Sequence, residues 1–344
     1  MRAMVLRETG CIADDCHRLA LEKWPEPACG VDDVVLRVAA CGVCHTELDE
    51  IEGRTPPPRL PIIPGHQVVG TVVAAGRNVK TVDIGERVGV AWIFSACGEC
   101  SWCRSGQENL CPSFRATGRD DNGGYADYMA ARAAFVHPIP DELDDAVAAA
   151  PLLCAGSVGY RSLFLSELTD GQPLGFMGFG ASAHLVLQLA RRQFPNSQFY
   201  VFARGEAERA FALELGADWA GDIAAPAPEK LKAIIDTTPA WTPVVAAMGN
   251  LQPGGRLVIN AIRKEDADKT ALLQIDYARD LWMEKEIKSV ANVTREDVGD
   301  FLQWAARVQI VPDVTTYDIA DANTALADLK AGRTRGAKVL TFLP

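Results

Sequence analysis

Residues 174–183 are Leu-Gly-Phe-Met-Gly-Phe-Gly-Ala-Ser-Ala, and this stretch decides the fold class of the chain. An apolar strand over 174–177 leads into a glycine-rich turn and then into a helical pattern. Gly178 permits a tight turn, and Gly180 lets a pyrophosphate approach the backbone. Ala183 leaves room for close helix packing, and the amino terminus of the helix favours an anion. A G-x-G-x-x-A element between a strand and a helix therefore predicts a dinucleotide site.

Strands and helices alternate regularly in the middle of the chain. The pattern predicts helices over 183–192 and 206–215, and strands over 174–177, 198–203, 233–237, 256–261 and 287–293. Such alternation is typical of βαβ units that build a parallel sheet. We therefore predict an α/β fold in which a nucleotide-type domain is inserted into a discontinuous outer domain.

The outer segments have a different pattern. Before about residue 150, short β-branched runs are interrupted by Gly and Pro, at 34–38, 68–73 and 87–90. These runs predict a mostly antiparallel sheet, and the five prolines of residues 55–64 predict an extended loop. After about residue 294, two helices and strands over 314–317 and 337–342 are assigned to this same outer domain.

Composition and charge exclude several functional classes. The 344 residues are 48% hydrophobic and 23% charged, which is typical of a globular chain of about two domains. A formal net charge of −11 disfavours nucleic acid and anionic membrane surfaces as partners. The amino terminus lacks the apolar core of a signal peptide, and no stretch is suited to cross a membrane. We expect a cytoplasmic protein without nucleic-acid or membrane partners.

Four of the ten cysteines are closely spaced: Cys97, Cys100, Cys103 and Cys111. In a chain without an export signal, metal ligands or buried thiols are favoured over disulfides. Four thiolates saturate a tetrahedral Zn²⁺, so this site would hold a loop and take no part in catalysis. An iron–sulfur cluster, or free or disulfide-bonded cysteines, are the less favoured alternatives.

A second set of metal-binding residue types is scattered along the chain: Cys44, His66 and Cys154. Two thiolates and one imidazole would neutralise Zn²⁺ and leave a fourth position open, which is the arrangement of a catalytic zinc. Taken separately, each residue also fits a buried thiol or a core histidine. The catalytic site is therefore a hypothesis that requires these three side chains to converge.

The second predicted strand of the alternating region ends in Val201-Phe202-Ala203-Arg204. Folds that bind NAD carry an Asp or Glu at this point for the ribose 2′-hydroxyl. A small residue followed by Arg204 admits a 2′-phosphate and can pair with it, so we predict NADP(H) over NAD(H). The alternative is that Arg204 is a solvated cation and Glu206 contacts the ribose.

With these elements in this order, the chain resembles the zinc-dependent medium-chain alcohol dehydrogenases over essentially its whole length. Residues 150–156 and 178–184 are similar to those of the bacterial, cinnamyl-alcohol-dehydrogenase-like group. The resemblance implies a GroES-like, mostly β catalytic domain over 1–154 and 294–344, and a Rossmann cofactor-binding domain over 155–293. It also implies an active site in the cleft between the two domains.

The resemblance implies a role for each matching residue. Cys44, His66 and Cys154 match the catalytic zinc ligands, and the four clustered cysteines match the structural ones. Thr46 falls at the position of the hydroxyl that takes the substrate proton. His45 falls where a basic side chain often contacts the cofactor pyrophosphate.

Further positions near the catalytic ligands follow or depart from the family's pattern. Glu47 falls where a carboxylate fixes the tautomer of the zinc-binding histidine. Trp92 matches a position that lines the substrate pocket, although it also fits a core aromatic, and the small Thr55 leaves room for medium or aromatic substrates. Gln67 stands where the family usually has Glu, and it is a poorer alternative metal ligand. Asp49 stands where a proton-relaying His is common, and it would give a different pH profile.

These observations predict an NAD(P)-dependent alcohol dehydrogenase or aldehyde reductase. It would transfer hydride reversibly between a small-molecule alcohol and a nicotinamide cofactor, with two Zn²⁺ per chain and NADP(H) preferred. A homodimer or homotetramer is expected. The alternatives are a zinc-independent enone or quinone reductase of the same superfamily, and a dinucleotide-binding protein without catalysis.

Overall fold

The computed structural model describes residues 1–333 and 335–342. The strands are β1 (Arg2–Leu6), β2 (Leu19–Lys23), β3 (Asp33–Val43), β4 (Gln67–Ala75), β5 (Arg87–Val90), β6 (Ile93–Ser95), β7 (Arg115–Ala116), β8 (Tyr128–Arg132), β9 (Val136–Pro138), β10 (Leu174–Met177), β11 (Phe199–Phe202), β12 (Trp219–Gly221), β13 (Leu231–Asp236), β14 (Leu251–Ile259), β15 (Glu286–Ser289), β16 (Val314–Asp318) and β17 (Ala337–Thr341). The α-helices are α1 (His45–Ile51), α2 (Ser101–Arg104), α3 (Ala146–Ala149), α4 (Ala155–Leu165), α5 (Ala181–Gln193), α6 (Glu206–Glu214), α7 (Thr242–Asn250), α8 (Arg295–Val308) and α9 (Ala322–Lys330).

The chain divides into two compact units. The first unit contains residues 1–157 together with the residues from 292 onward, and the second unit contains residues 158–291. The boundaries fall within α4 and shortly after β15. Each unit has its own sheet and its own cluster of buried apolar side chains.

The main sheet of the first unit has the order β16-β17-β3-β4-β5-β9, and β8 also pairs with β3. All these pairs are antiparallel except β16 with β17. In the register of β3 with β4, Gly42 lies opposite Gln67. The carboxyl end of β3 therefore lies beside the amino end of β4, so the loops that continue from these two ends start next to each other.

The sheet of the second unit is parallel throughout, in the order β12-β11-β10-β13-β14-β15. β10 is buried at all four positions, as expected of a strand in the middle of a parallel sheet. The first strand of the unit is thus flanked by the second and the fourth. This is the Rossmann order, in which a ligand binds beyond the carboxyl ends of the strands where the order reverses.

The observed elements differ from the predicted ones in a few places. The strand predicted over 287–293 ends at Ser289, opposite the last residue of β14, and Asn292 beyond it adopts a left-handed backbone with φ 59°. β12 and α7 were not predicted from the sequence. α7 has buried side chains over most of its length, so its sequence carries no polar face.

No single helix in residues 1–333 and 335–342 is long and apolar enough to cross a membrane. One pair, Ala146–Leu153 with Ala155–Leu165, meets the length and composition criteria together, and it is bent by 41°.

His137 on β9 offers a test of the packing of the first unit. The residue is 7% exposed, and its Nε2 has no hydrogen-bond partner among the described residues. Burial, with a smaller contribution from the Arg295 charge, lowers the pKa of His137 to about 4. Between that pH and the usual pKa of about 6.5, the unfolded chain binds the proton more readily than the folded chain. Stability therefore falls as the pH decreases through this window.

We predict that the His137 contribution makes the free energy of unfolding about 2 kcal/mol lower at pH 5 than at pH 7. Urea unfolding of the wild type and of His137→Gln at both pH values measures it. The variant should lose less stability on acidification than the wild type, by about that amount. His17→Gln, at an exposed histidine, is the control and should behave as the wild type does. Equal losses in the wild type and His137→Gln would contradict the prediction.

Candidate metal centre and cofactor site

The structure brings Cys44, His66 and Cys154 together in the first unit. One ligand atom from each lies within 4.8 Å of the others, and His66 Nε2 is 3.1 Å from Cys154 Sγ. Cys44 follows β3 and His66 precedes β4, so the register of these strands sets the two side chains side by side. Cys154 follows a buried 3₁₀ segment, Ala150–Leu153. A Cβ at Gly89 of β5 would lie 2.4 Å from Leu153, so this segment packs against β5 only because residue 89 is glycine.

The spacing of the three ligand atoms fits zinc. Zinc–sulfur bonds of about 2.3 Å in a tetrahedral site place two sulfurs about 3.8 Å apart, which lies within the span observed. Three protein ligands leave one position of a tetrahedron for another molecule. The arrangement is therefore that of a catalytic metal site.

Glu47 links two of the ligands. Its Oε1 pairs with His66 Nδ1, and its Oε2 accepts a hydrogen bond from the Cys44 backbone N–H at 2.8 Å. Glu47 and His66 are both fully buried. A carboxylate on Nδ1 fixes the tautomer in which Nε2 carries the lone pair for a metal. The Glu47 side chain therefore orients both the ring and the start of α1.

The surroundings shift the pKa values at this centre in both directions, and those of Cys154 and Glu47 are raised. Burial lowers the pKa of His66, but Glu47 and Cys44 together outweigh this effect and raise the pKa well above its usual value. Hydrogen bonds from Cys154 and His66 lower the pKa of the Cys44 thiol well below its usual range. A divalent cation replaces the protons shared among these atoms, so metal binding here releases protons.

Aromatic side chains line one side of the centre. The Trp92 ring lies 6.4 Å from the His66 ring and 5.4 Å from the Phe114 ring. Thr46, on the first turn of α1, has its Oγ1 3.6 Å from Cys44 Sγ and is 9% exposed. A hydroxyl and an indole therefore stand next to the ligands.

The second cysteine group is compact. The ligand atoms of Cys97, Cys100, Cys103 and Cys111 lie within 4.8 Å of one another, with Cys103 Sγ 3.8 Å from Cys97 Sγ and 3.6 Å from Cys100 Sγ. Backbone N–H groups of Glu99 and Cys100 lower the pKa of the Cys97 thiol to about 6. These S···S distances are those of a tetrahedral four-thiolate zinc site, which has no open position.

A salt bridge ties this cysteine loop to the carboxyl-terminal part of the first unit. Glu108 Oε1 accepts hydrogen bonds from the Arg295 backbone N–H at 3.1 Å and from its Nε at 3.0 Å. The Arg295 guanidinium also lies over the Phe135 ring, 4.6 Å from its centroid. The loop is thus held at the amino terminus of α8.

In the second unit, the glycine-rich turn has the shape of a phosphate cradle. Gly178 has φ 80°, and a Cβ there would lie 2.9 Å from Thr238. A Cβ at Gly180, the residue that precedes α5, would meet nothing within 4 Å among the described residues. Ala183 is fully buried on the sheet side of the helix. The backbone of the turn is therefore open to a ligand at the amino end of a 13-residue helix.

At the end of β11, Arg204 is exposed and follows the buried Ala203. Arg209 Nη1 donates to the carbonyls of Ala203 and Arg204, which fixes the turn that enters α6. Glu208 accepts the hydrogen bond of the Gly205 N–H and caps this helix. Glu206, the alternative ribose contact, is exposed on its first turn.

The other predicted site residues lie around the metal centre. His45 is exposed at the start of α1, and Thr55 lies just after that helix with a buried Oγ1. Asp49 Oδ1 accepts a hydrogen bond from Arg54 Nε at 2.5 Å. The Gln67 side chain lies over Gly42 of the neighbouring strand.

Sequence reasoning missed several residues near the centre. Glu50 on α1 is 1% exposed and hydrogen-bonds Trp92, and Arg119 lies over the same indole. The fully buried Tyr125 ring packs beside Gly65, the residue before His66. The one available signal was the spacing of Glu50, three positions after Glu47 and hence on the same face of a helix.

Comparisons with known proteins identify the family. Residues 30–141 match the family described as alcohol dehydrogenase GroES-like domain. The chain is 42% identical to the probable alcohol dehydrogenase AdhA of Mycobacterium tuberculosis, over 99% of this chain and 97% of the relative. It is 33% identical to an alcohol dehydrogenase of Geobacillus stearothermophilus, over 94% and 95% of the two chains. A cinnamyl alcohol dehydrogenase structure from Sorghum bicolor aligns with a TM-score of 0.82 and 26% identity, over 99% and 97% of the chains.

The chain therefore belongs to the alcohol dehydrogenase family. The predicted family, the α/β fold with a GroES-like and a Rossmann part, and the predicted enzyme class are confirmed. The zinc-independent reductase and the non-catalytic protein are not favoured.

The role of Glu47 can be tested through metal affinity. Removing a carboxylate that orients a metal-bound histidine typically weakens binding by roughly 10–100-fold. We predict that Glu47→Gln loses zinc from one site at a correspondingly lower chelator concentration than the wild type, with the four-cysteine site unchanged. Zinc content per chain across a chelator titration measures the effect.

Glu52→Gln is the matched control, because Glu52 is a carboxylate just beyond the same helix and bonds to Arg54 and Lys330. It should retain zinc as the wild type does. Identical titration curves for the wild type and Glu47→Gln would show that Glu47 does not orient a metal ligand.

Proposed function

We propose that the chain catalyses the reversible oxidation of primary or secondary alcohols to aldehydes or ketones, with zinc and a nicotinamide dinucleotide. One observation carries the proposal: in a chain of this family, the ligand atoms of Cys44, His66 and Cys154 lie within 4.8 Å of one another. We assign the catalytic domain to residues 1–154 and 294–344, and the cofactor domain to 155–293.

The residues fit the chemistry that such a reaction requires. Zinc held by two thiolates and an imidazole supplies a Lewis acid for the substrate oxygen, and the nicotinamide supplies the hydride acceptor. Glu47 keeps the His66 ring in the ligating tautomer. Trp92 presents an apolar surface beside that ring, which supports a role in holding the carbon part of the substrate.

Three polar side chains along α1 are proposed to handle protons and the cofactor. The Thr46 hydroxyl, close to Cys44 Sγ, is placed to accept the hydrogen bond of the substrate hydroxyl and to take its proton. Asp49, one helical turn later, is proposed to accept the proton after Thr46. The hydrogen bond from Arg54 fixes the orientation of the Asp49 side chain. His45 is exposed at the start of the helix and is proposed to contact the cofactor pyrophosphate.

We assign a second zinc to the four-cysteine group. Its thiolates saturate a tetrahedral ion, so this zinc would hold the loop of residues 97–111 and no substrate. The Glu108 salt bridge with Arg295 supports a purely structural role, because it anchors the same loop.

NADP(H) is the proposed cofactor. The turn after β11 carries no carboxylate at residues 203–205, and Arg204 is exposed there. The Glu208 carboxylate contacts this turn, but it accepts the hydrogen bond of the Gly205 N–H. A guanidinium at this position favours a 2′-phosphate over a hydroxyl, and the exposed Glu206 is the alternative contact for a ribose hydroxyl.

A homodimer or homotetramer is the proposed assembly. β15 is an edge strand that pairs only with β14 in the described sheet, and its four side chains are exposed. Exposed apolar side chains lie just before it in the chain, at Tyr277, Trp282 and Met283. Open edges of this kind are available for pairing with another chain.

The catalytic assignment predicts the loss of turnover on removal of a ligand. Cys44→Ser and His66→Ala should each abolish alcohol oxidation, measured by nicotinamide absorbance, and should lower the zinc content by one equivalent. Cys29→Ser is the control at an exposed cysteine outside both groups, and it should retain activity and zinc. Undiminished turnover in Cys44→Ser or His66→Ala would refute the function.

The cofactor assignment predicts that Arg204→Ala lowers kcat/KM for NADP⁺ by roughly 10–100-fold, as expected for the loss of a hydrogen bond to a charged group. The value for NAD⁺ should change little. Arg192→Ala, at an exposed arginine on α5, is the control and should leave both values unchanged. A wild type that uses NAD⁺ more efficiently than NADP⁺ would overturn the preference.

A further inference from the structure

Trp92 lies between two polar groups that each keep a buried atom without a partner. Glu50 Oε1 accepts the indole N–H of Trp92 at 3.4 Å, while Glu50 Oε2 is buried and has no hydrogen-bond partner in the described chain. The Arg119 guanidinium carbon lies 5.9 Å from the centroid of the same ring. Arg119 Nε is also buried and without a partner among the described residues. The acceptor Glu50 Oε2 and the donor Arg119 Nε, on two residues that contact the same indole, thus both lack a hydrogen-bond partner among the described residues.

Holding Trp92 does not account for Glu50. The bond to the indole uses one oxygen, and an unsatisfied buried acceptor costs free energy that an apolar side chain would avoid. Burial, and next the charge of Glu47, raise the pKa of Glu50 well above its usual value. Burying Glu50 Oε2 without a partner therefore costs free energy of folding. This cost points to a ligand that binds Oε2.

Among the described residues, Asp120 holds the Arg119 guanidinium through Nη2 only. Its Nη2 donates to both carboxylate oxygens of Asp120, at 3.3 and 2.9 Å. This salt bridge positions the guanidinium and does not use Nε. The positive charge of Arg119 lowers the pKa of Glu50, against the larger opposite effects of burial and of Glu47.

These two groups lie beside the metal centre. The Trp92 ring that they share is 6.4 Å from the ring of His66. A substrate whose oxygen binds at the metal and whose carbon part lies along the indole would reach toward Glu50 and Arg119. The pair is therefore placed to contact a second functional group of the same substrate.

We propose that Glu50 and Arg119 bind a second hydroxyl group of the substrate, so that the enzyme prefers diols over simple alkanols of the same length. A hydroxyl can donate to Glu50 Oε2 and accept from Arg119 Nε, which satisfies both open atoms. An ammonium group would be repelled by Arg119, and a carboxylate would be repelled by Glu50 in its ionised form. The inference rests on the proposed alcohol dehydrogenase function and names its substrate class.

The test compares kcat/KM for 1-butanol with the values for the butanediol isomers. In the wild type, at least one butanediol should exceed 1-butanol by roughly tenfold, as expected from a pair of hydrogen bonds that includes charged groups. Oxidation of 1-butanol but no preference for any diol would overturn this inference and leave the proposed function standing. No oxidation of any alcohol would defeat the proposed function, and this inference with it.

Two substitutions assign the preference to these side chains. In Glu50→Gln the amide oxygen keeps the bond to Trp92 and the other atom becomes a donor, so the hydrogen of the substrate hydroxyl loses its acceptor. The ratio of diol to butanol kcat/KM should therefore fall roughly tenfold. Arg119→Met should lower the same ratio by removing the donor. Because Glu50→Gln preserves the shape of the side chain, the test does not depend on tolerance of a large change.

Matched controls separate specificity from structural support. Glu52→Gln removes a carboxylate just beyond the same helix, and Arg115→Met removes a neighbouring arginine that is bonded to Asp121. Both should keep the wild-type ratio. If Glu50→Gln lowers kcat/KM for butanol and the diols by the same factor, Glu50 only supports the site and the proposal is wrong.

Discussion

The pairing of β3 with β4 is the constraint on which the metal centre depends. Gly42 lies opposite Gln67, so Cys44 and His66 leave neighbouring strands at the same end of the sheet. Side chains alternate between the faces of a sheet, so a slip of one residue would turn His66 to the opposite face. The third ligand, Cys154, arrives on a buried segment that packs against β5 of the same sheet. All three ligands are therefore fixed by one sheet.

Burial of ionisable groups links this centre to its metal. Glu47, His66 and Glu50 are almost completely buried, and two thiols lie beside them. Charges removed from water are costly unless they are paired, so the pKa values of Glu47, Glu50 and Cys154 are raised, and one histidine could not balance all of these groups in their ionised forms. A divalent cation would provide the missing positive charge, so metal binding at this centre would contribute to the stability of the fold. The four-cysteine loop differs because exposed residues surround it and an arginine salt bridge anchors it.

Local patterns in the sequence predicted much of the fold. The glycine-rich turn between β10 and α5 was predicted because all the residues that define it lie within ten positions of one another in the sequence. The strand predicted over 287–293 was too long, since a left-handed residue at Asn292 leaves no mark on hydrophobic periodicity. α7 was missed because it is apolar on nearly all sides, and a buried helix has no amphipathic period.

The candidate site also contains some features that the sequence predicted and others that it did not. The types and spacing of the metal ligands were visible in the sequence, whereas their distances depend on a strand register that spacing does not encode. Glu50 and Arg119 were missed because a glutamate on a short helix and an arginine in a loop are normally solvated. Glu50 is buried and Arg119 is half-buried, and both contact Trp92, which is distant from both in the chain.

The neutral Gln67 and the buried Glu50 have a common electrostatic explanation. Gln67 is 3% exposed, adjoins His66 in the chain and packs over Gly42. A carboxylate at residue 67 would add another buried negative charge close to Glu47, which already raises the pKa of Glu50. Like charges in a low dielectric repel strongly, so the fold tolerates few unpaired carboxylates around one ligand. With an amide at 67, the second carboxylate can stand on the Trp92 side of the centre, where Arg119 offsets its charge.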